Sequence, residues 1–327
     1  MQVENKTTNL YMTNKERYRI LCEEKPIPLF MQAWWLDAVC VEGKTWDVLL
    51  YEENGKILAV MPYHLLKKWG FKIILNPQFT QYNGVWIDYP ADCKLHKRYS
   101  FEKKIMDNLI DQLEALKPSF YSQWFHHSVT NWQPFYWKKF SQTTRYTYQI
   151  KDLSNIEKIY QSFNYAKQKH IKKDNNLQVD FCTSADDFFN FHKECLKWKK
   201  AEIAYSRNLF LSIYNESINR KQGVIISLKD IHQNLHSALF VIWDRNNAYS
   251  IISAINPQFK SNGASTKIVW EAIKFVSNKT QIFDFGGSMI ENVAQSFQQF
   301  GAEQIPYFTI SKSYSSILKF LLKFKGV

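Results

Sequence analysis

"FDFGGSMIENVAQSFQQFGA", residues 283 to 302, decides how this chain is read. Ile282 to Phe285 form an apolar run with the look of a short buried strand, and Ile290 to Phe300 carry the spacing of an amphipathic helix. Between them stand Gly286-Gly287-Ser288, where side chains have been removed as if something must approach the backbone closely. Gly301, just after Phe300, has the place of a residue that ends a helix in the left-handed conformation. One glycine therefore reads as structural and two as marking a cleft.

Upstream of this stretch the chain keeps a regular order. "HSALFVIWDRNNAYSIISAIN" reads as a hairpin turning at Asp244 to Asn247, followed by "PQFKSNGA" and the helix "STKIVWEAIKFVSNKT". The loop residues Lys260, Ser261, Asn262, Gly263, Ala264 and Ser265 lie directly before that helix, with Lys267 in its first turn. Small residues let backbone N–H groups face outward, the helix start adds partial positive charge, and two lysines add full charges. Such a loop can hold a pyrophosphate, although a plain glycine loop with a Ser cap has the same letters. Further upstream, "SADDFFNFHKECLKWKK" reads as a helix capped by Ser184.

The first half repeats the plan less sharply. Asn54-Gly55 between two apolar runs predicts a β-hairpin, and "FEKKIMDNLIDQLEALKP" has helical spacing ended by Pro118. "WWLDAV", "FTQYNGVW" and "WFHHSVTNW" set polar groups among aromatic rings, which suits either an acceptor cleft or a ring-rich core. The expectation is an α+β chain of two lobes, residues 1–150 and 151–327, packed on a shared interface, with the amphipathic tail belonging to the second.

Composition narrows the function classes. Lys plus Arg outnumber Asp plus Glu by 42 to 30, a net charge of +12 that favours an anionic partner. A phosphorylated cofactor, a nucleic acid and a membrane surface all meet that description. The basic stretch Lys167, Lys169, His170, Lys172 and Lys173 fits a phosphate contact or a solvated helix end equally well. Five cysteines without a CxxC pair fit reduced thiols and give no metal site. No 18-residue apolar run and no apolar leader are visible, so the expected location is the cytoplasm. The tail "SILKFLLKFK", with Lys319, Lys323 and Lys325, has an apolar face that suits a membrane surface or a docking site on the second lobe.

The order strand, strand, K-x-x-G-A-S loop, helix, strand resembles the acyl-CoA-binding core of the GNAT superfamily of N-acyltransferases. Together with "WWLDAV", "FTQYNG", "TRYTYQIKDLS" and the 283 to 302 stretch, it resembles the Fem-like branch, two tandem GNAT-type lobes, over roughly residues 30 to 312. The likeness extends to its methicillin-resistance-protein-like acyltransferases. In that family the position of Gly286 is often acidic, a departure that takes a carboxylate role away from it here.

The resemblance implies acetyl-CoA or another acyl-CoA as donor, held at Lys260 to Lys267, and a small-molecule or peptide amine as acceptor. It implies no DNA partner. Candidate catalytic groups are Asp284, Glu291 and His236 as base, with Tyr307 or Ser288 as proton donor to the leaving thiolate. Trp34, Gln81, Tyr82, Gly286 and Gly287 are the candidate substrate contacts. Two other readings stay open: a Fem-type transfer from aminoacyl-tRNA in cell-wall peptide synthesis, and a non-catalytic GNAT-like binding protein.

Overall fold

Turn chemistry sets the first sheet. Asn54 and Gly55 both take positive φ (51° and 75°), so β1 (Trp46–Glu53) folds back on β2 (Lys56–Lys68) as an antiparallel hairpin. The computed structural model describes residues 12–91, 94–173 and 176–324, with side chains to residue 320. Its residues form two compact units, one running to Arg145 and resuming at Pro306, the other from Tyr146 to Ile305.

In the first unit, α1 (Asn14–Glu24) starts from Thr13, whose hydroxyl and the Glu16 carboxylate cap each other's backbone, and α2 (Ala33–Val39) follows. After β1 and β2 come β3 (Phe71–Leu75), β4 (Trp86–Ile87), α3 (Leu95–Ala115), β5 (Phe120–Trp124) and α4 (Gln133–Trp137). Alternation along β1 divides the burial between two faces. Val48 and Leu50 pack toward Tyr18, Leu21 and Leu36, whereas Leu49 and Tyr51 pack toward Ile105, Leu109 and Leu113 of α3. β6 (Ser141–Ile150) begins in this unit and continues into the second.

The second unit contains α5 (Ile156–Ser162), α6 (Tyr165–Lys172), β7 (Gln178–Asp180), α7 (Ala185–Trp198) and α8 (Arg207–Asn219). Ser184 accepts the Asp187 N–H and so starts α7 where expected. β8 (Gly223–Lys229), β9 (Leu235–Trp243) and β10 (Asn247–Ile255) form an antiparallel meander. Asp244 accepts both the Asn246 and Asn247 N–H groups at its second turn. Next are α9 (Ala264–Val276), β11 (Ile282–Asp284), parallel to β10, and α10 (Glu291–Gln298).

The sheet order of this unit is β6-β11-β10-β9-β8-β7. One face buries Ile268, Ala272, Ile273 and Val276 of α9 against Val224, Ile226, Leu239 and Val241. On the helices α7 and α8, Phe188 and Phe210 stack at 5.4 Å and both meet Phe240 of β9.

The chain's end departs from the sequence reading. β12 (Glu303–Ser313) pairs antiparallel with β5 through Thr309 to Ser313, and α11 (Ser316–Phe324) follows it. From Pro306 onward this segment, expected to close the second lobe, belongs to the first unit, where Thr309 to Ser313 pair with β5. Lys325 and the side chain of Lys323 lie outside the described residues; Ile317 and Phe320 of α11 are exposed. Among the described residues, no helix is long and apolar enough to cross a membrane.

Candidate functional site

The glycines of residues 283 to 302 have different causes. Gly286 takes φ +83°, and a Cβ built there would meet only the Ser250 carbonyl oxygen, at 3.7 Å. Gly301 takes φ +70° just beyond α10, and a Cβ there would lie 2.5 Å from Ser162 Oγ. Its position is both a helix end and a close packing contact.

Asp284 ends β11 with no exposed surface. Its carboxylate accepts Thr147 Oγ1 at 2.5 Å, Gln149 Nε2 at 2.8 Å and the Gly286 N–H at 2.8 Å. It therefore joins β6 to the glycine turn, and its oxygens are engaged by the chain itself. Ser288 Oγ accepts the Ile290 N–H, and exposed Glu291 pairs with Gln295 one turn along α10. Both are engaged by their own helix or the turn before it, and Gly287 is exposed.

β10 and β11 part early. Their parallel register covers only Asn247 to Tyr249 opposite Ile282 to Asp284, whereas β10 continues to Ile255. Among the described residues no strand pairs with that side of β10 beyond Tyr249, so an edge of backbone donors and acceptors is left beside Gly286. A register shift between Ser250 and Ile252 sits at the same place, and Ser253 is exposed.

The loop before α9 is held from behind. Asp230 accepts from His236 Nε2 (3.3 Å), Asn262 Nδ2 meets His236 Nδ1 (2.5 Å), and Asn262 Oδ1 accepts the Ala264 N–H (2.9 Å). His236 stacks on Phe259 at 3.7 Å. Contacts from Asn234 foremost hold the Asp230 carboxyl below its ordinary range. His236 thus shapes the loop from a buried position.

Gly263, at φ +85°, lies under α6: a Cβ there would be 3.0 Å from the His170 carbonyl oxygen. Ala264 is buried too, and the Thr266 and Lys267 N–H groups turn back to the Gly263 carbonyl. Ser265 is half-buried at the second helical position, where a backbone N–H has no partner within the helix. Exposed Lys260, Ser261, Lys169, Lys172 and Lys173 surround this end, while Lys267 reaches the Leu177 carbonyl. Lys167 is the inward lysine, over the Phe300 ring and bonded to Ser296, and burial lowers its pKa.

A groove of about 710 Å³ in the second unit was not foreseen. It is lined by Asp187, Glu194 and Trp198 of α7 and by Asn234, Asn256 and Phe259, and it borders the segment that leads to Gly263. Only α7's exposed polar face hinted at it in sequence.

In the first unit the three aromatic motifs meet. Tyr82 is fully buried, with ring centroids 6.1 Å from Phe30, 5.2 Å from His126, 5.8 Å from His127 and 5.1 Å from Tyr307. Gln81 Nε2 donates to the Tyr82 hydroxyl. Trp34 packs on Trp35, which packs on Phe30 and donates to Thr80. Tyr307, expected beside the leaving thiolate in the second lobe, stands in the first unit against Tyr82.

No family model and no curated relative matches the chain. Solved structures do. FemX superposes with a TM-score of 0.69 at 10% identity, covering 91% of this chain and 96% of its own. L-PGS from Bacillus licheniformis gives 0.55 at 10%, with 94% of each chain covered. A tandem GNAT protein from the clavulanic acid biosynthesis pathway gives 0.52 at 5%, covering 91% and 92%. The chain therefore has the tandem GNAT fold, in the form shared with FemX.

Proposed function

We propose that this protein is an acyl-CoA-dependent N-acyltransferase. The observation that carries the reading is the parting of β10 and β11 beside a helix start rimmed with lysines. An extended thioester arm needs a backbone edge to pair with, and its pyrophosphate needs a cationic helix start. Ser250 to Ile255 supply the first; Ser265, Lys260 and the end of α6 supply the second. The acceptor amine attacks the thioester carbonyl carbon, the C–S bond breaks, CoA leaves as thiolate, and the ammonium proton is released.

In this reading the second unit is the donor lobe and the first, with Trp34, Gln81 and Tyr82, is the acceptor lobe. Gly286 and Gly287 border the reacting carbon. Asp284, Ser288 and Glu291 then act by shaping the turn around it, while Tyr307 packs on Tyr82 in the acceptor lobe. Titration calorimetry with acetyl-CoA tests the donor assignment, with release of free CoA thiol over a panel of amines as the activity readout. Saturable binding that the charge reversal Lys260→Glu at the exposed rim weakens is expected. An intact protein that shows no heat with acetyl-CoA overturns the reading.

The greater likeness to FemX than to the tandem GNAT protein favours a second reading, transfer from aminoacyl-tRNA. Exposed Lys169, Lys172 and Lys173 would then contact an acceptor stem. Transfer of a labelled amino acid from charged tRNA to a cell-wall precursor, without acetyl-CoA binding, would select it.

A further inference from the structure

One face of the first unit's sheet gathers three groups able to donate hydrogen bonds. Trp124 on β5 stands opposite Thr309 on β12 in the antiparallel register, and Tyr307 lies two residues before Thr309 on the same face. His126 joins this face through the Tyr82 ring, which touches both His126 and Tyr307.

Three groups here are unusual. The Arg145 guanidinium lies 4.7 Å from the Trp124 ring centroid, half-buried, with no described carboxylate within ion-pair reach. Thr309 Oγ1 is a buried hydroxyl with no hydrogen-bond partner. His126, 8% exposed, also leaves its Nε2 buried and unpartnered.

The neighbours of His126 define its tautomer. The Ser128 backbone N–H points at Nδ1 from 3.3 Å and Ser128 Oγ sits 2.8 Å from it, so Nδ1 accepts and the ring proton is on Nε2. Burial, with His127 alongside, holds the ring neutral well below its ordinary pKa. The orphan on His126 is thus an N–H donor.

We infer that Arg145, Thr309 and His126 form an anion-recognition site on the first unit, taking a carboxylate or phosphoryl group of a ligand whose apolar part lies on Trp124 and the Tyr82–Tyr307 pair. A cation, a hydroxyl and an imidazole N–H on one face, with no described carboxylate paired to the cation, favour an oxyanion over a neutral or cationic group. Guanidinium stacked on Trp124 keeps its edge donors available. If the first unit takes the acceptor, that acceptor carries an acidic group as well as its amine; this last step alone rests on the reading above.

The test needs neither acyl donor nor turnover. Calorimetry on the full chain would compare hippurate, phenyl phosphate and the neutral hippuramide. At least one anion is expected to bind about tenfold or more tightly than hippuramide, and the better anion identifies the source. Arg145→Leu should remove that preference, and Thr309→Val should weaken it severalfold. Should either variant fail to fold, imidazole ¹⁵N spectra of the unmodified protein decide: the His126 Nε2 resonance is expected to shift with the anion and not with hippuramide. Equal binding of all three probes, anion affinity unchanged in Arg145→Leu, or an unmoved Nε2 resonance would each overturn the site.

Discussion

Asp284→Ala is the substitution that separates a shaping role from a chemical one. The carboxylate accepts three donors, and Thr147 and Gln149, which supply two of them, are buried at 0% and 2% exposure. Leaving a buried donor without its charged acceptor costs about 1.5–3 kcal/mol. The Gly286 N–H is half-buried and recovers part of its loss from water, and the burial cost of the carboxylate itself disappears. A net loss of about 3–5 kcal/mol follows, within the range for breaking one side of a buried polar network. Asp284→Asn keeps the volume and one acceptor oxygen, so about 1–2 kcal/mol is expected there. Urea unfolding at pH 7 reads both values, and amide exchange at Gly286 should accelerate in the alanine variant. The reasoning is refuted if Asp284→Ala unfolds within about 0.5 kcal/mol of the parent while acyl transfer vanishes. The carboxylate would then be chemical equipment that the fold does not need.

Acid should destabilise the protein through His126: its folded pKa is depressed while the unfolded ring titrates near 6.5, so stability is full above that pH. Below about pH 6.5 the unfolded chain takes up the proton first, costing about 1.4 kcal/mol per pH unit; His64 and His192, also lowered by burial, add in the same direction. A thermal midpoint flat from pH 7.5 down to 5.5 would contradict this. Thiol labelling should be uneven, because burial raises Cys22 to about 11, Cys40 to about 12 and Cys195 to about 11, while Cys182 is exposed. Iodoacetamide at pH 8 followed by peptide mass spectrometry should find Cys182 modified first of these four. Gly263→Ala should cost about 1–3 kcal/mol from its positive φ and the His170 contact, measured by denaturant midpoint; an unchanged midpoint would show that α6 yields easily.

Local chemistry was legible in the sequence. Asn54-Gly55, the Ser184 cap and the Asp244 turn each act within four residues, so their letters carry their geometry. The helix after Gly263 starts within a residue of the expected position, at Ala264 rather than Ser265, but ends at Val276, four residues before the expected Thr280, and Gly263 rather than a serine caps it. What escaped depends on partners far along the chain. β12 reads as the natural end of the second lobe, and only pairing with β5 moves it to the first unit. The Asp230–His236–Asn262 chain spans more than thirty residues, and Arg145, Thr309 and His126 are linked only through Trp124, Tyr307 and Tyr82, far apart along the chain. Polar residues of those types are ordinary in strands and loops, so no spacing rule marks them.

The glycines show how a correct observation acquires a different cause. Gly263 looked like a place for a ligand to approach, yet the atom that approaches is the His170 carbonyl of α6. At Gly301 it is the Ser162 side chain and backbone. Packing alone accounts for both. Gly286 differs, because its nearest obstacle is the Ser250 oxygen at ordinary contact distance, and its positive φ is enforced by the Asp284 carboxylate holding its N–H. That turn keeps the chain from continuing alongside β10, and among the described residues no strand pairs with Ser250 to Ile255 on that side. A larger residue at Gly286 would strain the turn before it filled any space. The open edge is thus a product of Asp284 and Gly286 acting together, so under the proposed donor assignment the buried carboxylate would shape the binding edge without touching the ligand.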